Sequence, residues 1–104
     1  MTAAAHVCLT LVAGRELRAE LFDYLSEQAD IVPGFTASEA AGHGPEVRLH
    51  SAAERVKGRA DRILVRIIMK EEAANRLIER LRTQFTGTHL MHWTTPITGF
   101  GVID

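Results

Sequence analysis

Residues 34–44 read Gly-Phe-Thr-Ala-Ser-Glu-Ala-Ala-Gly-His-Gly, a short strand pattern that begins at a Pro33-Gly34 turn and ends at two glycines. Gly42 and Gly44 can adopt backbone angles that other residues avoid, and they let a ligand approach the main chain. A polar arm, residues 45–61, follows with little hydrophobic pattern. Binding residues are common where a rigid strand passes into a loop. A plain exit from a strand into a loop, with no ligand, is the alternative interpretation.

The hydrophobic pattern of the remaining chain predicts one α+β domain over residues 1–104. Alternating apolar residues predict strands at 6–12, 35–41, 62–70 and 89–95. Helical spacing predicts amphipathic helices at 15–28 and 71–85, and Ser51-Ala52-Ala53-Glu54 favours one or two helical turns inside the arm. The order βαββαβ is that of a ferredoxin-like fold, an antiparallel sheet with both helices on one face.

Composition limits the classes of function. The chain has 104 residues, is 46% hydrophobic and carries a formal net charge of -1, so no broad positive field is present to hold nucleic acid. Cys8 is the only cysteine, which excludes a disulfide within the chain and fits a reducing compartment. The N-terminal residues do not resemble a signal peptide, and no apolar run is long enough to span a bilayer. A cytoplasmic protein is expected.

The predicted sheet has a second face that the helices leave uncovered. By strand alternation this face carries Leu64 and Ile68, together with Cys8 or Val12. Apolar groups on such a face are best covered by other copies of the chain. The pattern therefore predicts an oligomer, and we expect a trimer.

The residue spacings in the sequence match no catalytic motif, so a non-enzymatic protein is expected. Its five histidines are many for its length, and imidazole with thioether suits soft or borderline transition metals. The candidate metal ligands are His43, His50, His89, Met91 and His92. Ordinary surface or half-buried histidines are the alternative. His43 lies between two glycines at the start of the arm, where a protonated ring also suits an anionic ligand.

Residues 35–44, with their threonine, their glutamate and Gly42-His43-Gly44, resemble the second strand of the PII signalling proteins, which leads into the long T-loop. The segments 54–59 and 92–96 resemble more closely a PII-like group associated with heavy-metal efflux systems. The resemblance implies a trimer with ligand clefts between subunits, in which PII proteins bind ATP or ADP. It also implies that the arm, a shortened T-loop at about 43–61, contacts a partner such as a membrane transporter.

The resemblance places candidate ligand-binding residues along the chain by position. They are Gly42, His43, Gly44, Arg55, Lys57, Arg59, Arg62 and Gly87. The family's phosphate-binding loop should fall at residues 85–89, where only Gly87 remains of it and lysine is absent. The ligand is therefore left open between an adenine nucleotide and a transition metal, and Arg55, Lys57, Arg59 and Arg62 could supply a different anion site.

Three functions compete at this stage. The first is a PII-like regulatory trimer that senses a small ligand and acts through the arm. The second is a metal-tolerance protein similar to the CutA-type trimers that share the fold, and the third is a structural assembly module. The fold alone does not decide among them.

Overall fold

The computed structural model describes residues 5–45, 47, 49 and 51–104. The predicted ferredoxin-like order is confirmed, with one short extra helix in the arm. The elements are β1 (His6–Gly14), a 3-10 turn (Arg15–Leu17), α1 (Arg18–Glu27), β2 (Thr36–Gly42), α2 (Ala52–Lys57), β3 (Ala60–Lys70), α3 (Glu71–Gln84) and β4 (Met91–Pro96).

The four strands form one antiparallel sheet in the order β2-β3-β1-β4. The central pair β1 and β3 runs in register from His6 opposite Lys70 to Gly14 opposite Arg62. These two strands are the most apolar of the four, which fits their position inside the sheet. β2 and β4 are short and mostly exposed, and they form the two edges.

One face of the sheet and the two longer helices enclose the hydrophobic core. Alternate residues of the central strands are almost fully buried, including Leu9, Leu11, Val65 and Ile67. They pack with Leu21 and Leu25 of α1 and with Ala74, Leu77 and Leu81 of α3. Full burial of one such aliphatic side chain stabilises the folded state by roughly 1.5–3 kcal/mol. This face therefore holds most of the folding energy.

The opposite face of the sheet carries apolar side chains that neither α1 nor α3 covers. Cys8, Val12, Leu64 and Ile68 are half-buried there, as the strand alternation predicts. Met91 lies opposite Val12 and Trp93 lies opposite Thr10, so their side chains extend the same face on β4, where both are exposed. We call this surface the open face.

Several boundaries differ from the predicted ones for local reasons. β4 begins at Met91 and not at residue 89, because His89 has a φ of 60°, which is incompatible with a strand. It ends at Pro96, one residue beyond the predicted end at residue 95. β3 begins at Ala60, two residues early, and β2 runs one residue further, through Gly42. The predicted helix at 15–28 opens with a 3-10 turn.

The arm contains the helical turns that its sequence favours. The Ser51 hydroxyl accepts a hydrogen bond from the backbone N–H of Glu54 at 3.1 Å, and Gly58 ends α2 with a φ of 72°. This is an N-cap at one end and a left-handed C-cap at the other. The arm residues Glu46, Arg48 and His50 lie outside the described residues. Within the described part of the chain, every helix is too short or too polar to cross a bilayer.

Candidate ligand site at the base of the arm

A cavity of about 620 Å³ lies where β2 passes into the arm. It opens on the end of the open face, and five segments of the chain line it. β2 supplies Ala40 to Gly42, His43 follows directly after the strand, and Val47 comes from the arm. β1, β3 and Met91 supply the floor, and the segment from Thr88 to Leu90 supplies the far wall. This volume is within the range of small-molecule sites in proteins.

Gly42 is positioned so that two side chains pack directly against its main chain. A Cβ atom at residue 42 would lie 3.2 Å from Nε of Arg62 and 3.2 Å from Cγ1 of Val47. Most real Cβ contacts are longer, so any other residue here would have to displace one of these groups. The strand register places Arg62 opposite Ala40, beside the glycine. Glycine therefore sets how closely the guanidinium approaches the strand end.

The far wall of the cavity is a tight turn between α3 and β4. Gly87 and His89 both have a positive φ, of 81° and 60°. Thr88 fixes the turn because its N–H and its hydroxyl both donate to the carbonyl oxygen of Phe85, at 3.2 and 2.7 Å. A left-handed conformation is uncommon for a residue other than glycine and is often found at functional sites. The turn brings His89 to the cavity, although His89 and His43 lie 46 positions apart in the chain.

The chemistry of the lining is basic around an apolar floor. Among the described residues that line the cavity, the titratable or charged side chains are those of His43, Arg62 and His89. The described lining contains no carboxylate. Val12, Leu64 and Met91 form the floor. Such a lining suits a ligand that combines negative charge with an apolar body.

A second cavity, of about 390 Å³, lies on the helix side of the same turn. Leu81 and Phe85 line it together with Gly87 and His92. His89 and Leu90 line both cavities and separate them. The structure thus places two of the predicted site residues, Gly87 and His92, on this second cavity and away from the arm.

The predicted basic cluster of the arm is divided in the structure. The Nζ atom of Lys57 pairs with Oδ2 of Asp61 at 3.7 Å, and Arg55 is exposed. Arg59 lines a third cavity, of about 330 Å³, together with Arg62, Arg15 and Glu39. Of the four predicted cations, Arg62 alone lines the arm-base cavity among the described residues. Gly44, with a φ of 119°, turns the chain away from the strand.

The candidate metal ligands are also divided. His43, His89 and Met91 line the arm-base cavity, whereas His92 lines the helix-side cavity, and His50 lies outside the described residues. Among the residues that the structure describes, no group of three or more His, Cys, Asp or Glu side chains could hold a metal ion. The metal set stays a prediction.

Sequence reasoning missed the residue that anchors the arm. Glu54 is only 4% exposed, and its Oε2 atom accepts a hydrogen bond from the N–H of Asp61 at 2.6 Å. Its carbonyl oxygen accepts from the N–H groups of Gly58 and Arg59. A buried carboxylate that accepts such bonds connects α2 to the start of β3. The pattern Ser51-x-x-Glu54 predicted a helix start but gave no sign that the carboxylate would be buried.

The fold has close counterparts among solved structures. A DUF3240 family protein from Shewanella baltica OS155 superposes with a TM-score of 0.77 at 16% identity, covering 98% of this chain and 100% of that one. CPII, a nitrogen regulatory PII-like protein from Thiomonas intermedia K12 bound to ADP, AMP and bicarbonate, has a TM-score of 0.66 at 18% identity, covering 93% and 96%.

A candidate PII-like signalling protein from Thermus thermophilus also matches, with a TM-score of 0.63 at 19% identity, over 93% of this chain and 90% of that one. At these identities the structural likeness establishes a PII-like ferredoxin-like fold. No curated protein sequence matches the chain. The model of the family described as "Protein of unknown function (DUF3240)" matches residues 3–104. The chain therefore belongs to the DUF3240 family.

Proposed function

We propose that this protein is a non-enzymatic PII-like regulator that binds a small ligand at the base of its arm and acts through the arm on a partner. The observation that carries the proposal is the arm-base cavity, where Gly42, His43 and Arg62 meet at the junction of β2 and the arm. A ligand in this cavity contacts His43, which leads into the arm, and Val47 within the arm. Binding there can therefore change the conformations available to the arm.

The solved relatives support a small anionic ligand. CPII is a protein of the same fold whose structure is bound to ADP, AMP and bicarbonate. The present chain departs from a phosphate-binding loop, because Gly87 lies on the helix-side cavity and residues 85–89 contain no lysine. We therefore expect an adenine nucleotide, if it is the ligand, to be held through Arg62 and the histidines.

We further propose that the working unit is a homotrimer in the cytoplasm. The open face supports self-association, since Val12, Leu64 and Ile68 are only half-buried and Met91 and Trp93 are exposed beside them. A contiguous apolar surface of this kind commonly marks an interaction site. Val12, Leu64 and Met91 also form the cavity floor, so packing of copies through this face would place the cavities between subunits.

The arm is the proposed contact to a partner, and a membrane transport or efflux component is the candidate for that partner. Arg55 and Arg59 support this role because both are exposed on the arm. We expect Arg55→Ala with Arg59→Ala to weaken partner binding and to leave the oligomer intact. Pull-down and light-scattering measurements check this, and unchanged partner binding would exclude that role for these two cations.

The direct test of the ligand site compares two arginines on one strand. Arg62 and Arg66 both lie on the open-face side of β3, but Arg62 lines the cavity and Arg66 does not. We expect isothermal titration to detect binding of ADP, AMP or bicarbonate to the wild-type protein. The Arg62→Gln variant should bind roughly ten- to a hundredfold more weakly, since a hydrogen bond to a charged group contributes about 1.5–3 kcal/mol. Arg66→Gln should bind like the wild type.

The contradictory outcome is equal loss in both variants, or wild-type binding in Arg62→Gln. Either result would remove the arm-base cavity as the ligand site. Circular dichroism of each variant separates this from a folding defect.

A transition-metal tolerance protein is the second candidate. The observation that favours it is the presence of His43, His89 and Met91 around one cavity. Copper, zinc, nickel or cobalt should then raise the melting temperature, because a ligand that prefers the folded state stabilises it. His43→Ala should abolish the shift, and His6→Ala, which lies elsewhere, should retain it.

A further inference from the structure

We infer that the helix-side cavity is a second ligand site and that it takes a small, neutral, apolar molecule with one hydrogen-bonding group. This site differs from the arm-base cavity in its position and in the chemistry of its ligand. The inference does not rest on the proposed function, because it concerns the other side of the sheet. The two cavities meet only at His89 and Leu90, which line both.

The cavity lies where the hydrophobic core ends, beside the edge strand β4. α3 packs mainly on the central strands β1 and β3. On the helix side, β4 places His92 opposite Leu11. The next residue on that side, Thr94, lies opposite Leu9. Neither His92 nor Thr94 adds an aliphatic group to the core, so a hollow of about 390 Å³ remains between the end of α3 and the start of β4.

The walls of the cavity continue the surface of the core. Ile78 and Leu90 are half-buried and pack against the core from its margin. Buried core residues lie behind them; they are Leu11, Leu81 and Phe85. An apolar body placed here leaves water for apolar surroundings, which is the usual main contribution to binding in a pocket. The walls therefore favour an apolar ligand.

The arginine and the threonine at the rim already have partners within the chain. Nε of Arg82 pairs with Oε1 of Glu79 at 3.4 Å, and Glu79 lies outside the lining. The Thr86 hydroxyl donates to the carbonyl oxygen of Arg82. The lining, as far as the structure describes it, contains no carboxylate. An anion would compete with Glu79 for Arg82 and a cation would meet no carboxylate, so the rim favours a neutral ligand.

His92 supplies the polar contact of the site. Its side chain lies on the same side of the sheet as that of Leu11, because the two residues are direct cross-strand partners. Among the described residues, none forms a hydrogen bond with the His92 ring. An imidazole ring has two nitrogen atoms that donate or accept hydrogen bonds. One hydroxyl or carbonyl group on the ligand therefore suits this position.

The volume of the cavity sets the size of the ligand. An apolar cavity of roughly 150 Å³ binds benzene. The helix-side cavity, at about 390 Å³, is large enough for one ring or two fused rings. Size, walls and rim together favour a neutral cyclic compound with one oxygen group, such as a phenol or a cyclic ketone.

The exposed Phe100 of the same chain is held away from this cavity. Its ring packs on His6 with the centroids 5.3 Å apart, and the N–H of Ile97 donates to the carbonyl oxygen of His6. His6 begins β1, and Leu11 lies five residues further along, which is about 17 Å in a strand. Phe100 is thus fixed near the opposite end of β1. A small molecule from solution is the occupant that we propose.

1-Naphthol tests the inference because it combines two fused rings with one hydroxyl group. Isothermal titration of the full chain should detect its binding. Isotope-filtered nuclear Overhauser spectra of methyl-labelled protein should show contacts from the probe to the methyl groups of Ile78 and Leu81. Contacts to Leu64 or Ile68 alone would place the probe on the open face and refute the inference.

1-Naphthoate has the same rings but is an anion at neutral pH, so it tests the class of ligand. At Ile78 it should bind at least tenfold more weakly than 1-naphthol. Equal or tighter binding at Ile78 would mean that the cavity takes an anion, and the inference would be wrong. Contacts of 1-naphthoate to Leu64 would belong to the arm-base cavity and would support different ligand chemistry in the two cavities.

Variants of two lining residues locate the site. Ile78→Trp fills the cavity from α3 and should weaken 1-naphthol binding at least tenfold. Thr83→Trp, on the exposed side of the same helix, is the matched control and should bind like the wild type. His92→Leu removes the polar contact and keeps an apolar wall. It should weaken binding of 1-naphthol roughly two- to tenfold, as expected for one hydrogen bond, and leave binding of naphthalene unchanged.

Several outcomes would overturn the inference. They are no binding of 1-naphthol, wild-type binding in Ile78→Trp, and equal losses in Ile78→Trp and Thr83→Trp. Circular dichroism of each variant excludes a folding defect, and His92→Leu decides alone if Ile78→Trp does not fold. Binding that appears only in a Phe100→Ser variant would mean that the tail of a neighbouring copy fills the cavity, which also refutes the inference. None of these results bears on Arg62, so the proposed function is tested separately.

Discussion

The two faces of the sheet differ in how they are covered, although they share the same strands. On the helix side, Leu9 and Ile67 are 0% exposed under α1 and α3. On the open face, their neighbours Cys8 and Ile68 are only half-buried, and the edge strands β2 and β4 leave polar and apolar groups exposed together. The helix-side face is thus fully covered within a single chain, and the open face is not.

This difference separates stability from function. The helix-side face has the close packing that a small domain needs to fold. The open face contributes less to folding but carries the cavity floor and the surface proposed for self-association. A substitution should therefore act on folding or on assembly according to the face on which it lies.

Two adjacent isoleucines test that separation with the largest expected effect. Ile67→Ala should destabilise the fold by about 3 kcal/mol, because removing a buried aliphatic group loses its transfer energy and leaves a cavity. Ile68→Ala should cost about 1 kcal/mol when measured at low protein concentration, since the side chain is only half-buried. Urea unfolding followed by circular dichroism measures both values.

Equal losses at residues 67 and 68 would contradict the comparison. They would mean that the open face is already packed within the single chain. The concentration dependence of the Ile68→Ala midpoint provides the control, because a side chain buried between copies loses stability that depends on protomer concentration.

A charge on the open face should have the next largest effect, on assembly. Ile68→Asp places a carboxylate where we propose that copies meet, and burying an unpaired charge is strongly unfavourable. The dissociation constant of the oligomer should rise at least a hundredfold, while the far-ultraviolet circular dichroism stays unchanged. Light scattering with size-exclusion chromatography measures the mass. Arg76→Asp, on the exposed side of α3, is the control and should assemble normally.

Much of the fold could be predicted from local patterns. The alternation in residues 6–12 and 62–70 identified the two central strands, and the apolar spacing after Glu71 identified α3. These signals are strong because half of each element is buried against the same core. Two strand starts could not be predicted. The start of β4 is delayed by the left-handed conformation of His89. The start of β3 at Ala60 depends on the hydrogen bond from Asp61 to Glu54 in the arm.

The candidate site was predictable only in part. Gly42, His43 and Arg62 were selected from the resemblance and the strand end, and the fold does bring them together. The basic residues of the arm formed a cluster in sequence, but pairing of Lys57 with Asp61 and the direction of β3 divide that cluster in space. The hydrogen bonds of Thr88 to Phe85 are local, but residue spacing alone does not indicate them. The burial of Glu54 depends on its contact with the start of β3.

The smallest predicted effect lies on the covered side, at the ion pair that joins α3 to the turn after α1. Arg80 donates from Nη1 and Nη2 to the two carboxylate oxygens of Asp30, at 3.1 and 3.0 Å, and from Nη1 to Oε1 of Gln28 at 2.8 Å. The hydrogen bonds from Arg80 lower the pKa of the Asp30 carboxyl below its ordinary value. A carboxyl with a lowered pKa in the folded state stabilises the protein above the pKa of the unfolded chain. That contribution is lost as the pH falls through the folded-state value.

The free energy of unfolding of the wild-type protein should therefore exceed that of Asp30→Asn slightly at pH 7, and the difference should disappear toward pH 3. Because both side chains are solvent-exposed, 0.5 M salt should reduce the difference at pH 7 as well. Asp23→Asn, on the exposed side of α1, is the control and should show neither dependence. If the difference in the free energy of unfolding persists at pH 3, Asp30 stabilises the fold through packing and not through its charge. The ion pair would then belong to the packed core and would not be a polar contact at its margin.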